Sequence, residues 1–250
     1  MECYSRYAIY FAPEQGSDLA NFGASWLGWD AQSGQNAAHP IFDDLPVPVS
    51  ELTATPRKYG FHGTLMAPFR LAYNKSVVDL NQAVAELAYR QFPFEIERIG
   101  LRSIGGFLAI TPEERNADLI ALAGACVREL DKFRAPLSNA DLLRRRSANL
   151  TGPQDRYLTR WGYPYVFDEF QFHMTLSGKL VPDVIGPVQN RLQQALAKPL
   201  AQPLPVREIC LFREDEDGRF YILKRYALNA LAAARPESRP KILSETHHFG

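Results

Sequence analysis

The sequence predicts an α+β fold built from two related halves. The pattern Phe-His-x-Thr-Leu occurs twice, around His62 and His173, and the two histidines lie 111 residues apart. Each copy is followed by an amphipathic helix and then by two strand-like segments that a turn separates. Because motif, helix and hairpin shift along the chain by nearly the same interval, we interpret them as an internal repeat.

The first half begins with local signals for a strand and a helix. Residues 6–13 are aromatic and β-branched and end at Pro13, which predicts a strand. Ser17 is placed to cap a short helix, and we expect residues 6–29 to pack on the sheets. Residues 30–58 contain four prolines and are predicted to be irregular.

The segments between the two motifs alternate in type. Apolar residues at helical spacing predict helices over 76–92 and from Asn116 to Phe133, and Ser138 begins a shorter one. Residues 94–101 alternate as a half-buried strand does, and Gly105-Gly106 turns the chain into a second strand. Residues 147–169 are predicted to be an aromatic loop.

The second half repeats this order. A helix is predicted to begin between Asp183 and Pro187, followed by a strand over 204–212 and another from Phe220, with a turn at Asp217-Gly218. We therefore predict one bilobal domain over 1–231. Its lobes surround the first motif (about 55–115) and the second (about 165–228), and 232–250 form a loose tail.

Composition excludes several classes of function. The formal charge of zero gives no general attraction for long nucleic acid or an anionic membrane. No stretch approaches the roughly 20 apolar residues that span a bilayer. The three scattered cysteines favour neither a disulfide framework nor a zinc ribbon. The expectation is a cytoplasmic protein without membrane partners.

The repeated motif predicts a catalytic pair. On a strand, His62 and Thr64 face one side and their apolar neighbours the other, and His173 and Thr175 do the same. One neutral imidazole can accept a proton and one protonated imidazole can donate one, because histidine titrates near neutrality. The two hydroxyls can donate to phosphate oxygens. This chemistry requires neither a metal nor a cofactor.

Four stretches resemble one known family. "RYAIYFAP", "FGASWLGWD", "PRKYGFHGTLMAPF" and "RWGYPYVFDEFQFHMTLSGKL" are similar to the DUF1045 branch of the 2H phosphoesterase superfamily, found among bacterial phosphonate-utilisation proteins. The resemblance implies a bilobal α+β fold with antiparallel sheets around a central cleft and helices outside. It also implies hydrolysis of cyclic phosphates or of 2′,5′- and 3′,5′-linked diesters.

The resemblance also assigns residues and a substrate. His62 and His173 match the catalytic histidines, and Thr64 and Thr175 match the phosphate-binding hydroxyls; which histidine is the base stays open. The branch implies ribosyl 1,2-cyclic phosphate 5-phosphate as a substrate. The alternatives are an RNA-processing member that acts on short RNA ends, a nucleotide- or phosphate-binding module without turnover, and a metallohydrolase.

Further side chains near the motifs are candidates for substrate binding. The cations are Arg57, Lys58 and Lys179, which could bind a second phosphate. Tyr59, Tyr163 and Tyr165, with Trp161, could wall the cleft and stack on a base or sugar, and the alternative for these aromatic residues is a place in the core. Tyr59 lies at an odd offset from His62, so it faces the core unless the chain turns at Gly60.

Three other groups are predicted to lie outside the site. Arg144, Arg145 and Arg146 are interpreted as a solvated helix end. His39 lies in a proline-flanked loop, and His247-His248 belong to the tail, where no ligand partners stand at metal-binding spacing.

Overall fold

The structure, a computed structural model, describes residues 5–229 as eleven strands and eight α-helices joined by short connections. The elements are β1 (Arg6–Phe11), α1 (Asp18–Leu27), β2 (Trp29–Asp30), β3 (Gln35–Asn36), α2 (Val49–Leu52), β4 (Gly63–Arg70), α3 (Val77–Tyr89), β5 (Phe94–Ile96), β6 (Ile99–Ile104), β7 (Phe107–Pro112), α4 (Ala117–Leu130), α5 (Asn139–Arg146), α6 (Gly152–Trp161), β8 (Met174–Thr175), α7 (Pro182–Ala195), α8 (Ala197–Leu200), β9 (Leu204–Val206), β10 (Glu208–Glu214) and β11 (Phe220–Ala227). Short 3-10 helices cover Arg57–Tyr59, Asp131–Phe133 and Phe167–Glu169.

A seven-stranded sheet forms the centre of the fold. Its order is β11-β10-β1-β4-β8-β7-β6, and every neighbouring pair is antiparallel. The hairpin that follows the first motif pairs with the strand of the second, and the hairpin that follows the second joins the first through β1. The predicted α+β class with antiparallel sheets is confirmed. The two motif strands are neighbours in one sheet rather than facing each other across a gap.

The two faces of the sheet bury different sets of residues. On β1, Tyr7, Ile9 and Phe11 belong to the main core, which also contains the apolar sides of α1, α3, α4 and α7. The alternate residues face a smaller cluster on the other side, which we call the second face. The second-face cluster consists of Ala8, Tyr10, Ala12, Trp29, Ala31, Cys210, Phe212 and Phe220.

The repeat is visible in the way equivalent elements meet. The strands β5 and β9, which stand at the same place in the two halves, pair with each other in a separate two-stranded sheet. Each predicted strand is therefore broken in two, at Glu97-Arg98 in the first half and at Arg207 in the second. The apolar alternation slips by one residue at each break, from Ile96 to Ile99 and from Val206 to Ile209, a signal that the prediction of single strands passed over.

Helix starts follow their predicted caps. The side chains of Ser17, Ser76, Asn116 and Ser138 each accept a backbone N–H from the first turn of the helix that they begin. The prediction of a loop over 147–169 is wrong, because α6 occupies its centre. A capping box between Thr151 and Gln154 begins that helix.

Some predictions fall partly or wholly outside the described residues. The tail over 232–250, with His247 and His248, and Cys3 are not among them. Cys126 and Cys210 are free and buried, and burial raises the pKa of each thiol to about 12. Within residues 5–229, no helix is both long enough and apolar enough to span a bilayer.

Candidate active site

The two motifs lie side by side at the centre of the sheet. Gly63 of β4 pairs with Met174 of β8 in an antiparallel register. Continued by one residue each way, this register places His62 opposite Thr175 and Thr64 opposite His173. Directly opposite residues share a face, with Cβ atoms about 5 Å apart. Each histidine therefore faces the threonine of the other motif.

The apolar residues of both motifs hold these strands from behind, as predicted. Phe61, Phe172, Leu65 and Leu176 are all buried in the main core. The ring of Phe172 packs directly on Gly63, where a Cβ atom would overlap it. The second motif is thus seated on the glycine between the histidine and threonine of the first.

The two histidines are oriented in the same way. Nδ1 of His62 lies 2.9 Å from the Gly60 carbonyl oxygen, and Nδ1 of His173 lies 2.9 Å from the Gln171 carbonyl oxygen. A carbonyl oxygen only accepts, so Nδ1 carries the proton in both rings. This leaves both Nε2 atoms for chemistry. Nε2 of His62 lies 3.2 Å from the Thr64 hydroxyl, which donates to it when the ring is neutral.

His62 is held in its neutral form by its surroundings. Its ring stacks on Tyr10 with centroids 3.8 Å apart, so it lies on the second face of the sheet. Burial lowers the pKa of His62 to about 4, the Gly60 carbonyl opposes this shift, and the charge of His173 adds to it. At neutral pH the unprotonated Nε2 of His62 can accept a proton.

A cavity of about 370 Å³ lies next to the second histidine. Thr64 and His173 stand in its wall, together with the predicted Tyr163 and Tyr165. The two tyrosine rings meet edge to face, 5.5 Å apart. A concave site of this volume, with Phe and Tyr rings and a few polar groups in its wall, suits a small ligand. The remaining lining residues are Leu65, Ile104, Phe107, Gln154, Glu169, Phe170 and Gln171.

Tyr59 reaches the site because the chain turns after it. Gly60 has a φ of 69°, a left-handed conformation that glycine adopts freely. The turn brings the Tyr59 ring to 6.1 Å from the His62 ring. The chain does turn at Gly60, so Tyr59 points toward His62 and not into the main core, as its odd offset on a continuous strand would require.

Arg57 and Lys179 do not line this cavity, which changes two predictions. Nε of Arg57 donates to the Leu27 carbonyl at 2.8 Å, and its Nη2 donates to the Ser50 carbonyl and to the Thr53 hydroxyl. Because these hydrogen bonds use Nε and Nη2 of the guanidinium, Arg57 holds the loop before the first motif in place. Lys179 is exposed and packs beside the turn at Gly106.

Two further groups have structural contacts. Nδ1 of His39 lies 3.0 Å from the Trp26 carbonyl, and its ring packs on Gly28, so it does not cover the site. Trp161 packs edge to face on Phe167, 5.2 Å away, in agreement with the core alternative.

Sequence reasoning did not find Tyr10, Phe107, Gln154 or Glu169. The Phe107 ring lies 5.7 Å from the His173 ring, and the Gln154 amide donates to Glu169 at 2.8 Å. The sequence placed Tyr10 and Phe107 in predicted strands, but nothing in it indicated that either residue lies near the histidines. Gln154 could have been found from its capping box with Thr151.

No metal site is formed by the part of the chain that the structure describes. Among residues 5–229, no three His, Cys, Asp or Glu side chains converge closely enough to hold an ion. Independence from metal stays a prediction.

The sequence profile of one family matches most of the chain, including the paired motif strands. The family described as "Protein of unknown function (DUF1045)" matches residues 64–221, which include the second motif and the threonine of the first. The chain belongs to the DUF1045 family. The family membership predicted from the motif stretches is confirmed.

Curated proteins similar to this DUF1045 chain carry one name. Two of them are called "Ribose 1,5-bisphosphate phosphokinase PhnN". The protein from Janthinobacterium sp. (strain Marseille) is 34% identical over 226 residues, which is 88% of this chain and 50% of the relative. The protein from Laribacter hongkongensis (strain HLHK9) is 31% identical over 224 residues, 88% of this chain and 51% of the relative. The chain spans about half the length of these relatives.

Solved structures also align with the DUF1045 chain over most of its length. One described as a phosphoesterase covers 91% of this chain and 99% of its own, at 16% identity and a TM-score of 0.40. E. coli LigT complexed with 3′-AMP covers 91% and 99%, at 15% identity and a TM-score of 0.39. TT0787 of Thermus thermophilus covers 89% and 97%, at 14% identity and a TM-score of 0.41.

Proposed function

We propose that this chain is a phosphodiesterase that opens a small cyclic phosphate ester by acid–base catalysis with His62 and His173. The observation that supports it is the pairing of β4 with β8, whose register sets His62 opposite Thr175 and Thr64 opposite His173 on one face of the sheet. The two rings are oriented alike, and one of them is held neutral by burial.

The roles follow from the environments of the two rings. Nε2 of His62 accepts a proton from water as the water oxygen attacks phosphorus. The bond from phosphorus to the sugar oxygen breaks, and that oxygen takes the proton from Nε2 of His173. Nδ1–H of His173 donates to the Gln171 carbonyl, which fixes the ring with Nε2 free for the leaving oxygen. On substrate binding the Thr64 hydroxyl turns from Nε2 of His62 to the phosphate, and Thr64 and Thr175 donate to the nonbridging oxygens, where charge grows in the transition state.

Within this class we propose ribosyl 1,2-cyclic phosphate 5-phosphate, in phosphonate utilisation, as the substrate. If the bond to O2 breaks, the product is ribose 1,5-bisphosphate. The curated relatives are named for a kinase of that compound and match this chain over about half their length. A chain that produces ribose 1,5-bisphosphate would suit a protein that phosphorylates it.

Phosphorus NMR with a substrate panel tests this function. The panel contains ribosyl 1,2-cyclic phosphate 5-phosphate, a nucleoside 2′,3′-cyclic phosphate and a 2′,5′-linked dinucleotide, each with and without EDTA. We expect ring opening of the first compound, unchanged by EDTA. Preference for a nucleotide favours the RNA-processing alternative, loss with EDTA favours a metallohydrolase, and binding without turnover of any compound contradicts the enzymatic proposal.

The pH dependence of kcat/KM tests the role of His62. This ratio reports the groups of the free enzyme, so its acid limb reports the protonation of the base. Because burial lowers the pKa of His62 to about 4, we expect kcat/KM to persist well below pH 6 and to fall only near pH 4. An acid limb near the ordinary histidine value of 6.5 would contradict the assignment of His62 as the buried base.

A further inference from the structure

A second cavity, of about 1010 Å³, has a strong local excess of positive charge. Six cationic side chains and two carboxylates line it, although the whole chain has no net formal charge. The cations are Arg6, Lys58, Arg70, Arg134, Arg144 and Arg145, and the carboxylates are Asp141 and Glu214. We call this space the cationic cavity.

Four of the six cations already have carboxylate partners. Arg6 forms an ion pair with Glu214, and Arg134 pairs with Asp131 at 2.9 Å. Asp141 lies 2.6 Å from Arg144 and 3.7 Å from Arg70. Within the described part of the chain, Lys58 and Arg145 are the cations of this cavity that lack a carboxylate.

Arg145 differs from its neighbours in the same helix turn. Arg144 and Arg146 are exposed and paired with Asp141 and Asp155, as a solvated helix end requires. Arg145 is partly buried, and its Nε is inaccessible and has no hydrogen-bond partner. Burial also lowers its pKa. A desolvated cation without a counter-ion is costly, and a bound anion would offset that cost.

Each of the two unpaired cations, Lys58 and Arg145, packs over the ring of a tyrosine that lies next to the candidate active site. Lys58 lies over the Tyr59 ring at 4.9 Å, and Tyr59 approaches His62. Arg145 lies over the Tyr163 ring at 5.4 Å, and Tyr163 lines the cavity that contains Thr64 and His173. The cationic cavity therefore adjoins the histidine pair.

The strand β1 gives the scale of the arrangement. Tyr10 pairs with Thr64 and Arg6 pairs with Arg70, four residues further along. At about 3.3 Å per residue the two levels are roughly 13 Å apart, and the long cationic side chains shorten this distance. The unpaired Lys58 is nearer than that level: its Nζ lies 4.9 Å from the Tyr59 ring, which lies 6.1 Å from the His62 ring, so a sugar with two phosphates has at most about 11 Å to bridge.

We propose that Arg145 and Lys58 form the binding site for a second phosphate of the substrate, so that the enzyme selects cyclic phosphates that carry a distal phosphate monoester. This inference rests on the proposed function. In this site Arg145 takes the place that the sequence had suggested for Arg57 and Lys179, whose side chains lie elsewhere. The guanidinium of Arg145 can bind two phosphate oxygens at once, whereas Lys58 contributes a point charge.

The test compares two substrates that differ only at the distal group. These are ribosyl 1,2-cyclic phosphate with a 5-phosphate and the same compound with a free 5-hydroxyl. For Arg145→Gln we expect kcat/KM to fall about 10- to 100-fold on the phosphorylated compound and to change little on the other. Arg145→Lys should retain part of the preference. Arg146→Gln, at the next residue of the same helix, is the matched control and should change neither value.

Several results would overturn this proposal. One is a wild-type enzyme that does not distinguish the two compounds, and another is an Arg145→Gln variant that loses both activities equally, as a packing role on Tyr163 requires. If neither compound is hydrolysed, the proposed function fails, and calorimetric binding of ribose 5-phosphate still decides the site. Binding that Arg145→Gln weakens at least about 10-fold and Arg146→Gln does not supports the site, and any other binding result contradicts it.

Discussion

Replacing either histidine with alanine is expected to reduce kcat on the cyclic phosphate by about 10²-fold or more. His62→Ala removes the group that accepts the proton of water, and His173→Ala removes the group that protonates the leaving oxygen. His173 bonds through Nδ1 to the Gln171 carbonyl, whereas His62 bonds to the Gly60 carbonyl and to Thr64 and stacks on Tyr10, so we expect His62→Ala to lose more stability than His173→Ala. Initial rates followed by phosphorus NMR measure the effect.

His39→Ala is the control for loss of an imidazole elsewhere. His39 bonds to the Trp26 carbonyl and packs on Gly28, away from the paired motifs, so its variant should keep kcat. Thermal unfolding of all three variants separates lost chemistry from lost structure. Normal turnover in a folded His62→Ala or His173→Ala variant would contradict the two-histidine mechanism.

Gly63→Ala is expected to damage both stability and catalysis. A Cβ atom at Gly63 would overlap the Phe172 ring, which is buried and cannot move freely. Overpacking of this kind costs about 1–3 kcal/mol. Because Phe172 directly precedes His173, the displaced ring also shifts the acid, and a misplacement of about 1 Å can cost about 10²-fold in rate. Denaturant unfolding and kcat measure the two effects.

Gly100→Ala is the matched control for this substitution. Gly100 also lies in a strand of the main sheet, but a Cβ atom there would only reach ordinary contact with Glu113, at 3.4 Å or more. Adding Phe172→Leu to Gly63→Ala makes room for the new methyl group and should restore part of the lost rate. If Gly63→Ala alone leaves both stability and kcat unchanged, Phe172 does not position the second motif.

Local sequence patterns predicted a strand at each motif, the helix caps and the class of fold, although β4 begins only at Gly63 and β8 spans only Met174–Thr175, so both histidines directly precede their strands. The alternation in Phe-His-x-Thr-Leu gave the buried and the open sides of each strand, and burial of Phe61 and Phe172 agrees with it. The order of the strands was beyond this reasoning. It depends on long-range pairing, such as that of β7 with β8, which no local pattern encodes.

The secondary site residues show the same limit. Arg57 and Lys58 are neighbours and looked equivalent, but the 3-10 turn directs one to backbone carbonyls and the other to the cationic cavity. Arg145 stands between two ion-paired arginines, and only the packing of its helix beside Tyr163 distinguishes it. Helix α6 was missed although Thr151-Gly-Pro-Gln is a recognisable helix start.

The most direct test of the central claim, that both histidines act on one phosphate, is a double-mutant cycle in kcat. Groups that act as a unit are strongly non-additive, because either loss alone disables the same step. We expect His62→Ala/His173→Ala to be about as slow as the slower single variant. A loss equal to the product of the two single losses, about 10⁴-fold if each is about 10²-fold, would mean that the histidines act independently and would contradict the mechanism.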